Sequence, residues 1–148
     1  MKLTNGRYTL IKRTMGLERF LKAQERDYMQ ALSEMRNGRK TSHWIWYIFP
    51  QIAGLGYSEM SKHYAIKDLP EAKEYLAHPV LGKRLVEISN TLLSHNKSAN
   101  SIMGSPDDLK LRSSMTLFSL VPGADPVFDR VLAKFFDGKK DSATLQLV

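Results

Sequence analysis

The sequence predicts an all-α fold, a compact single-domain bundle of about seven or eight short helices with no significant sheet. Three observations support this prediction. Apolar residues recur at three- and four-residue steps in several segments, which is the spacing of one helix face. Proline, glycine and capping residues bound these segments. One short apolar run is the sole candidate for a strand, and a strand without a partner leaves its backbone groups unpaired.

Length and composition are those of one ordinary globular domain. The chain has 148 residues, of which 43% are hydrophobic and 25% charged, enough to bury a sizeable core and too apolar for general disorder. No apolar run approaches the roughly 20 residues of a membrane span. The chain has no cysteine, which excludes disulfides, thiol catalysis and cysteine-ligated metals. We expect a cytoplasmic protein that needs no cofactor.

The first two helical segments differ in how clearly the sequence predicts a helix. Residues 17–35 carry an apolar stripe at helical spacing, and Gly38 is a suitable terminator just beyond it. Residues 44–49 are apolar throughout, so periodicity does not separate a buried strand from a buried helix. Helix is the better prediction because no second strand is available for pairing. Pro50 ends the segment, and a glycine-containing turn follows.

The later helix starts share a proline at or before the first turn, in most cases after a side chain that caps helices. They are Pro70 after Asp68, Pro79 before residues 80–95, Ser105-Pro106 at the start of residues 106–121, and Asp125-Pro126 before residues 127–136. Gly138 stops the last of these helices.

The net charge of +7 is unevenly distributed. Residues 1–16 hold four basic residues and no acid, which leaves +3 for residues 17–148. We interpret residues 1–16 as a dispensable basic extension, with organellar targeting as the alternative. Residues 17–148 are then the single helical domain, and Met15 is a plausible start. A domain of +3 and ordinary composition does not by itself indicate a nucleic-acid partner.

Three polar residues fall on predicted apolar faces when each position is given about 100° of helical rotation. Gln24 lies near the middle of the first apolar arc, and Lys110 and Ser114 lie within the arc of residues 106–121. Buried polar groups need partners. Each residue also has a structural interpretation. The Gln24 amide would form a hydrogen bond with a backbone carbonyl, and the Lys110 side chain would run along the core until its ammonium reaches water. The Ser114 hydroxyl would form a hydrogen bond with the Lys110 carbonyl in its own helix. The functional interpretation is that all three side chains line one ligand-binding pocket.

The segment before Pro50 concentrates aromatic residues beside a histidine. Trp44 and Trp46 are the two tryptophans of the chain, and tryptophan side chains form good walls for ligand pockets. On a helix they point about 200° apart, so they cannot both face one pocket squarely. His43 is a candidate acid/base near neutral pH, although a packed histidine is the commoner case. Gln51 opens the following turn. The four histidines show no metal-ligand spacing, and we expect no metal.

Several motifs resemble one bacterial family of unknown function. They are residues 42–51 with Gly54-Leu55-Gly56, residues 75–82, residues 113–118 and residues 20–32. In this order the motifs are similar to the domain-of-unknown-function family numbered 1810, whose members are often labelled calpastatin, over residues 17–148. The resemblance implies a compact all-helical single-domain fold and no established activity. Calpain inhibition is not supported, since calpastatin repeats are disordered and acidic. The motifs contain Gln24, His43, Trp44, Trp46, Gln51 and Ser114, with Lys110 just before the last one.

Our first functional hypothesis is a domain that binds a small anionic metabolite or nucleotide-like ligand, with or without catalysis. Its ligand-binding residues would be Gln24, Trp44, Trp46, Gln51, Lys110 and Ser114. If the domain is an enzyme, His43 would be the acid/base and Lys110 would hold a phosphate or carboxylate.

Two alternatives belong to other classes. A protein-interaction or adaptor domain without catalytic activity would expose Trp44 or Trp46 in a contiguous apolar patch. Nucleic-acid binding, the weaker alternative, would use the basic extension together with Arg36, Arg39 and Lys40. No membrane partner is expected, and the sequence does not determine the oligomeric state.

Overall fold

The structure, a computed structural model, describes residues 16–148 and consists of helices joined by short turns. It has nine helices over this range and no strand, so the predicted all-α fold is confirmed. In chain order they are α1 (Glu18–Arg36), α2 (Ile45–Ile48), α3 (Glu59–His63), α4 (Leu69–Ala77), α5 (Leu81–Leu92), α6 (Ala99–Met103), α7 (Asp107–Ser119), α8 (Val127–Phe136) and α9 (Ser142–Leu147). No helix among these residues is long and apolar enough to cross a bilayer. The predicted basic extension lies outside the described range except for Gly16.

Two helices form the centre of the bundle. Helix α7 packs against α2, α4, α6, α8 and α9, and α5 packs against α1, α4 and α8. A series of aromatic contacts connects α1, α4 and α7. The Phe20 ring packs edge-on against Tyr75 with 5.2 Å between the ring centroids, and the Tyr75 ring lies 5.3 Å from that of Phe118. Ring pairs at these distances add to the stabilisation that comes from burial alone. This core holds the elements around the candidate site in place.

The predicted helix boundaries agree with the structure where local chemistry sets them. Gly38 follows α1 with φ +73°, and Asp68 caps α4 by accepting from the backbone N–H of Glu71. The start of α7 differs from the prediction. The helix begins at Asp107, Ser105 makes no capping bond, and the Ser105–Pro106 peptide is cis. Backbone carbonyls close this first turn, since the Asp108 N–H bonds to Gly104 O.

The short helices account for the larger helix count. Each of α3, α6 and α9 has at most six residues, too few for an apolar period to be read. Their starts do carry a local signal, because a side chain at each N-cap accepts from the N–H three residues later. The capping residues are Ser58, Ser98 and Asp141.

The aromatic segment forms a single helical turn, α2. Trp44 O accepts from Ile48 N–H and Ile45 O from Phe49 N–H, and Pro50 then prevents continuation. The chain next pairs briefly with a distant segment, because Ile52 and Ile66 form an isolated parallel bridge. This bridge places the turn after α2 beside the segment that joins α3 to α4.

Candidate ligand-binding site

A cavity of about 220 Å³ opens where α2, the turn after it, α3, the start of α7 and the start of α9 meet. It is smaller than the roughly 300–1,000 Å³ of drug-sized sites. Its polar lining comes from five separate segments of the chain. The residues are Trp46, Gln51, Ser61, Tyr64, Lys110, Ser113 and Asp141.

The positive charge in this cavity comes from Lys110 in the first turns of α7. Its Nζ lies 5.5 Å from the centroid of the Trp46 ring, over the ring face, which is a cation–π contact. Its carboxylate neighbour, Asp107 Oδ1, is 3.7 Å away, and 29% of the Lys110 side chain is exposed. A partly exposed pair at this distance interacts weakly. The ammonium therefore remains available to another anion.

A second lysine competes for the same carboxylate. Lys40 Nζ lies 2.7 Å from Asp107 Oδ2, and only 5% of the Lys40 side chain is exposed. Lys40 also donates to Ser42 O and lies over the Trp44 ring at 4.9 Å. Because a buried ammonium requires a counter-charge, Asp107 acts chiefly as the counter-ion of Lys40. Asp107, Lys40 and Lys110 together carry a charge of +1.

Trp46 contributes a second donor. Its Nε1–H is buried and has no hydrogen-bond partner among the described residues. An indole N–H and an ammonium can only donate. A buried donor without an acceptor costs on the order of 1–3 kcal/mol. Two residues of the cavity lining, Lys110 and Trp46, thus carry donor-only groups, and the Trp46 Nε1–H has no acceptor among the described residues.

Gln51 and Tyr64 supply further polar groups on the wall. Gln51 is held through its backbone, because its carbonyl oxygen accepts from Ile66 N–H at 2.8 Å. Its side-chain amide, and the Tyr64 hydroxyl, form no hydrogen bond to any residue between 16 and 148. Both groups can donate to an acceptor in the cavity.

The opposite wall is organised around Asp141, the N-cap of α9. Asp141 Oδ2 accepts from Ser113 Oγ, Thr144 N–H and Thr144 Oγ1 at 3.2, 3.0 and 2.6 Å. The backbone N–H of Asp141 donates to Thr116 Oγ1. These bonds attach α9 to α7. They also place a second carboxylate at the edge of the cavity.

Trp44 lies away from this cavity and is a core residue with 1% of its surface exposed. Its Nε1 donates to Glu34 Oε1 at 3.0 Å, and the same oxygen accepts from the backbone N–H groups of Thr41 and Ser42. Burial raises the pKa of the Glu34 carboxyl, but hydrogen bonds from Ser42, Thr41 and Gln30 outweigh it and hold the pKa at about 2. The opposite directions of Trp44 and Trp46 agree with the helical angle between them.

Gln24 also has a structural environment. It is buried in α1, where its Nε2 donates to Tyr47 O at 2.8 Å and to Tyr75 Oη at 2.9 Å. Its Oε1 accepts from Arg84 at 3.4 Å. These bonds tie α1 to α2, α4 and α5. Gln24 does not line the 220 Å³ cavity.

His43 and Ser114 do not join the cavity either. His43 is exposed on the turn before α2, and its carbonyl oxygen accepts from Tyr47 Oη at 3.4 Å. Ser114 is fully buried, and its Oγ has no partner among the described residues, not even the Lys110 carbonyl. Of the seven predicted site residues, the structure brings together Trp46, Gln51 and Lys110.

Replacing the buried, unpartnered Ser114 hydroxyl by hydrogen should not harm the fold. We expect Ser114→Ala to leave the free energy of unfolding unchanged or to raise it by about 1 kcal/mol, because an unsatisfied polar group is removed from the core. Urea denaturation checks this, with Thr116→Ala as the control, since Thr116 Oγ1 holds the Asp141 N–H. A loss above about 1 kcal/mol for Ser114→Ala would show that the hydroxyl has a partner.

The structure also bears on the alternative hypotheses. Trp44 is buried and Trp46 is partly buried, so neither is openly exposed as an adaptor anchor would be. Lys40, assigned to nucleic-acid binding, is paired with Asp107 in the interior. The basic extension that this hypothesis requires, residues 1–16, lies outside the described residues except for Gly16. Between residues 16 and 148, no three His, Asp or Glu side chains gather as metal ligands do.

Sequence reasoning did not identify several of the groups that shape the cavity. No local signal predicts that Asp107, at the start of α7, pairs with Lys40. Asp141 carries only the local signal of a helix N-cap, and Tyr64 carries no motif. Their positions depend on how α9 and α3 pack against α7 and α2, which no local pattern encodes.

Comparison with known proteins gives a fold and a family. A search of curated proteins found no match. Among solved structures, the chain is similar to the crystal structure of the conserved hypothetical protein Rv1873 from Mycobacterium tuberculosis. The two share 44% sequence identity with a TM-score of 0.87, over 89% of this chain and 95% of that chain. The family described as "Protein of unknown function (DUF1810)" matches residues 14–148. The motif resemblance is thereby confirmed, and the chain belongs to this family of unknown function.

Proposed function

We propose that this protein binds a small anionic ligand in the cavity between α2, α7 and α9. One observation carries the proposal: Lys110 and Trp46 line the same cavity, and each carries a group that can only donate, of which the buried Trp46 Nε1–H has no partner among the described residues. A carboxylate or phosphate oxygen would satisfy both. The Gln51 amide and the Tyr64 hydroxyl supply two more donors within this wall.

The charge balance supports an anion at this position. Asp107 lies 1.0 Å closer to Lys40 than to Lys110, at 2.7 against 3.7 Å. Since Lys40 is the more buried of the two, its ammonium has the greater need of the carboxylate. An incoming anion could approach the Lys110 ammonium more closely than the 3.7 Å at which Asp107 lies. The proposal is for binding, because His43, the predicted acid/base residue, lies outside the cavity.

Nuclear magnetic resonance gives a direct test, because the two indole N–H groups report separately. We expect titration of ¹⁵N-labelled protein with sodium acetate or inorganic phosphate, at constant ionic strength, to shift the Trp46 indole resonance with saturation. The Trp44 indole, bonded to Glu34, should stay in place and serves as an internal reference. An unmoved Trp46 resonance would contradict the proposal.

Lys110→Met removes the charge and keeps the aliphatic stem over Trp46. We expect this variant to bind the anion at least about tenfold more weakly, since a hydrogen bond to a charged group contributes roughly 1.5–3 kcal/mol. Lys22→Met is the matched control: Lys22 is an exposed lysine of α1 that does not line the cavity. Equal affinities for the wild type and Lys110→Met would refute the role of Lys110.

A further inference from the structure

We infer that the ligand of this cavity is a monoanionic aliphatic carboxylate whose chain leaves the cavity over an apolar rim. The inference rests on the proposed anion site and names the chemical class of its ligand. It depends on three features of the described residues: the charges near Lys110, the apolar lining, and the exposed apolar side chains around the cavity.

The charges favour a single negative charge on the ligand. Among the described residues that line the cavity, Lys110 is the cation, and Asp141 contributes a carboxylate to the same lining. Asp107 also contacts Lys110, at 3.7 Å. A second negative charge on the ligand would face these two carboxylates without another free cation from the wall, and like charges at short range repel. A carboxylate therefore fits better than a phosphate dianion.

Apart from the rings of Trp46 and Tyr64, the apolar lining is aliphatic. Ile52, Leu55 and Leu109 line the cavity together with two alanines. Trp46 is aromatic, but Lys110 Nζ lies over its ring face. Stacking of an aromatic ligand on that face would have to displace the ammonium that attracts the anion. Alkyl groups make apolar contact with the aliphatic wall without this conflict.

The rim of the cavity carries apolar surface that the fold does not cover. Leu109 lines the cavity and yet is 57% exposed, and Tyr57 is 86% exposed directly after the lining residue Gly56. Met60, at 38% exposure, precedes the lining residue Ser61. A chain anchored by its carboxylate at Lys110 would cover part of this surface. The positive charge inside the cavity and the apolar rim together match the two ends of an acyl carboxylate.

A series of straight-chain acids tests the inference. We expect dissociation constants to fall from acetate through butyrate and hexanoate to octanoate, by up to about fourfold for each methylene that becomes buried. The readout is the Trp46 indole resonance at constant ionic strength, with every acid kept below its micellar concentration. Inorganic phosphate should bind more weakly than butyrate.

The rim is tested with exposed residues, so that folding is preserved. Met60→Ser should leave acetate binding unchanged and weaken octanoate binding several-fold, because Met60 lies at the rim and does not line the cavity. Met29→Ser is the matched control, because Met29 is 70% exposed on α1 and does not line the cavity. It should leave the whole series unchanged. Lys110→Met should weaken every acid.

The outcomes separate the inference from the function on which it rests. If all acids bind equally and require Lys110, the anion site stands and the acyl class is wrong. The same conclusion follows if phosphate binds more tightly than butyrate, or if Met60→Ser keeps the full dependence on chain length. If no anion depends on Lys110, the proposed function fails together with the inference.

Discussion

Gly82→Ala is expected to lower the free energy of unfolding by about 3 kcal/mol or more, although alanine is the better helix former. A Cβ atom at position 82 would lie 2.0 Å from the carbonyl oxygen of Leu76 and 2.8 Å from its carbonyl carbon. Helix propensity favours alanine over glycine by about 1 kcal/mol. The contact outweighs this gain because the obstructing atoms belong to the backbone, so no side-chain rotation relieves it.

The loss of stability should involve more of the fold than the contact at position 82. Relief requires α5 to move away from the end of α4, and α5 also packs against α1 and α8. Urea denaturation followed by circular dichroism measures the effect, and a variant that does not fold agrees with the prediction. Gly123→Ala is the control, because Gly123 has φ +75° in the turn closed by Ala124 N–H and Val121 O, with nothing within 4 Å of its added Cβ. It should lose only about 1 kcal/mol, the backbone cost of a positive φ. A fully stable Gly82→Ala protein would show that the helices separate easily.

Glu34→Gln is expected to cost about 2–3 kcal/mol at pH 7. The Glu34 carboxylate accepts from Thr41 N–H, Ser42 N–H and Trp44 Nε1 on one oxygen and from Gln30 on the other. Its pKa of about 2, against an ordinary value of 4.5, corresponds to about 3 kcal/mol of stabilisation of the charged form. Glutamine keeps the shape but not the charge. For a chain of this size the melting temperature should fall by roughly 5–10 °C.

The pH dependence of this effect has a defined sign. Because folding lowers the pKa of Glu34, its contribution is complete above about pH 5 and is lost as the pH falls from 4.5 towards 2. The difference between wild type and Glu34→Gln should therefore be largest at neutral pH and shrink in acid. Thermal melts between pH 7 and pH 3 measure it. Glu25→Gln, an exposed position on the same helix, should show no such gap.

A constant gap between wild type and Glu34→Gln across this pH range would contradict the assignment, because it would mean that the carboxylate has no altered pKa. Both predictions concern the framework of the site. Glu34 holds the turn that leads from Lys40 into α2, and Gly82 allows α4 and α5 to pack closely.

Local sequence signals were sufficient for much of the fold. The apolar period of α1, its stop at Gly38 and the cap of α4 at Asp68 each depend on residues within a few positions of one another. The same holds for the opposite directions of Trp44 and Trp46, since a helical turn of about 100° per residue sets their angle. These features needed no knowledge of the tertiary structure.

The candidate site was predictable in part. Lys110 was singled out as a charge on an apolar face, and Trp46 and Gln51 were named with it; the structure places all three on one cavity. Gln24 and Ser114 gave the same kind of signal, a polar group facing inward, yet they lie elsewhere. Periodicity reports that a side chain points inward but not which helix lies opposite.

By itself, the sequence determined the helical class, the faces that the helices bury and the membership of this family, because local spacing and motifs carry that information. The tertiary structure decided which inward-facing groups meet. Lys40 and Asp107 are 67 positions apart and meet at 2.7 Å, and this contact is the reason that Asp107 leaves Lys110 only partly neutralised. Pairings of this kind depend on how helices pack over long sequence separations, where each contact is set by the whole core.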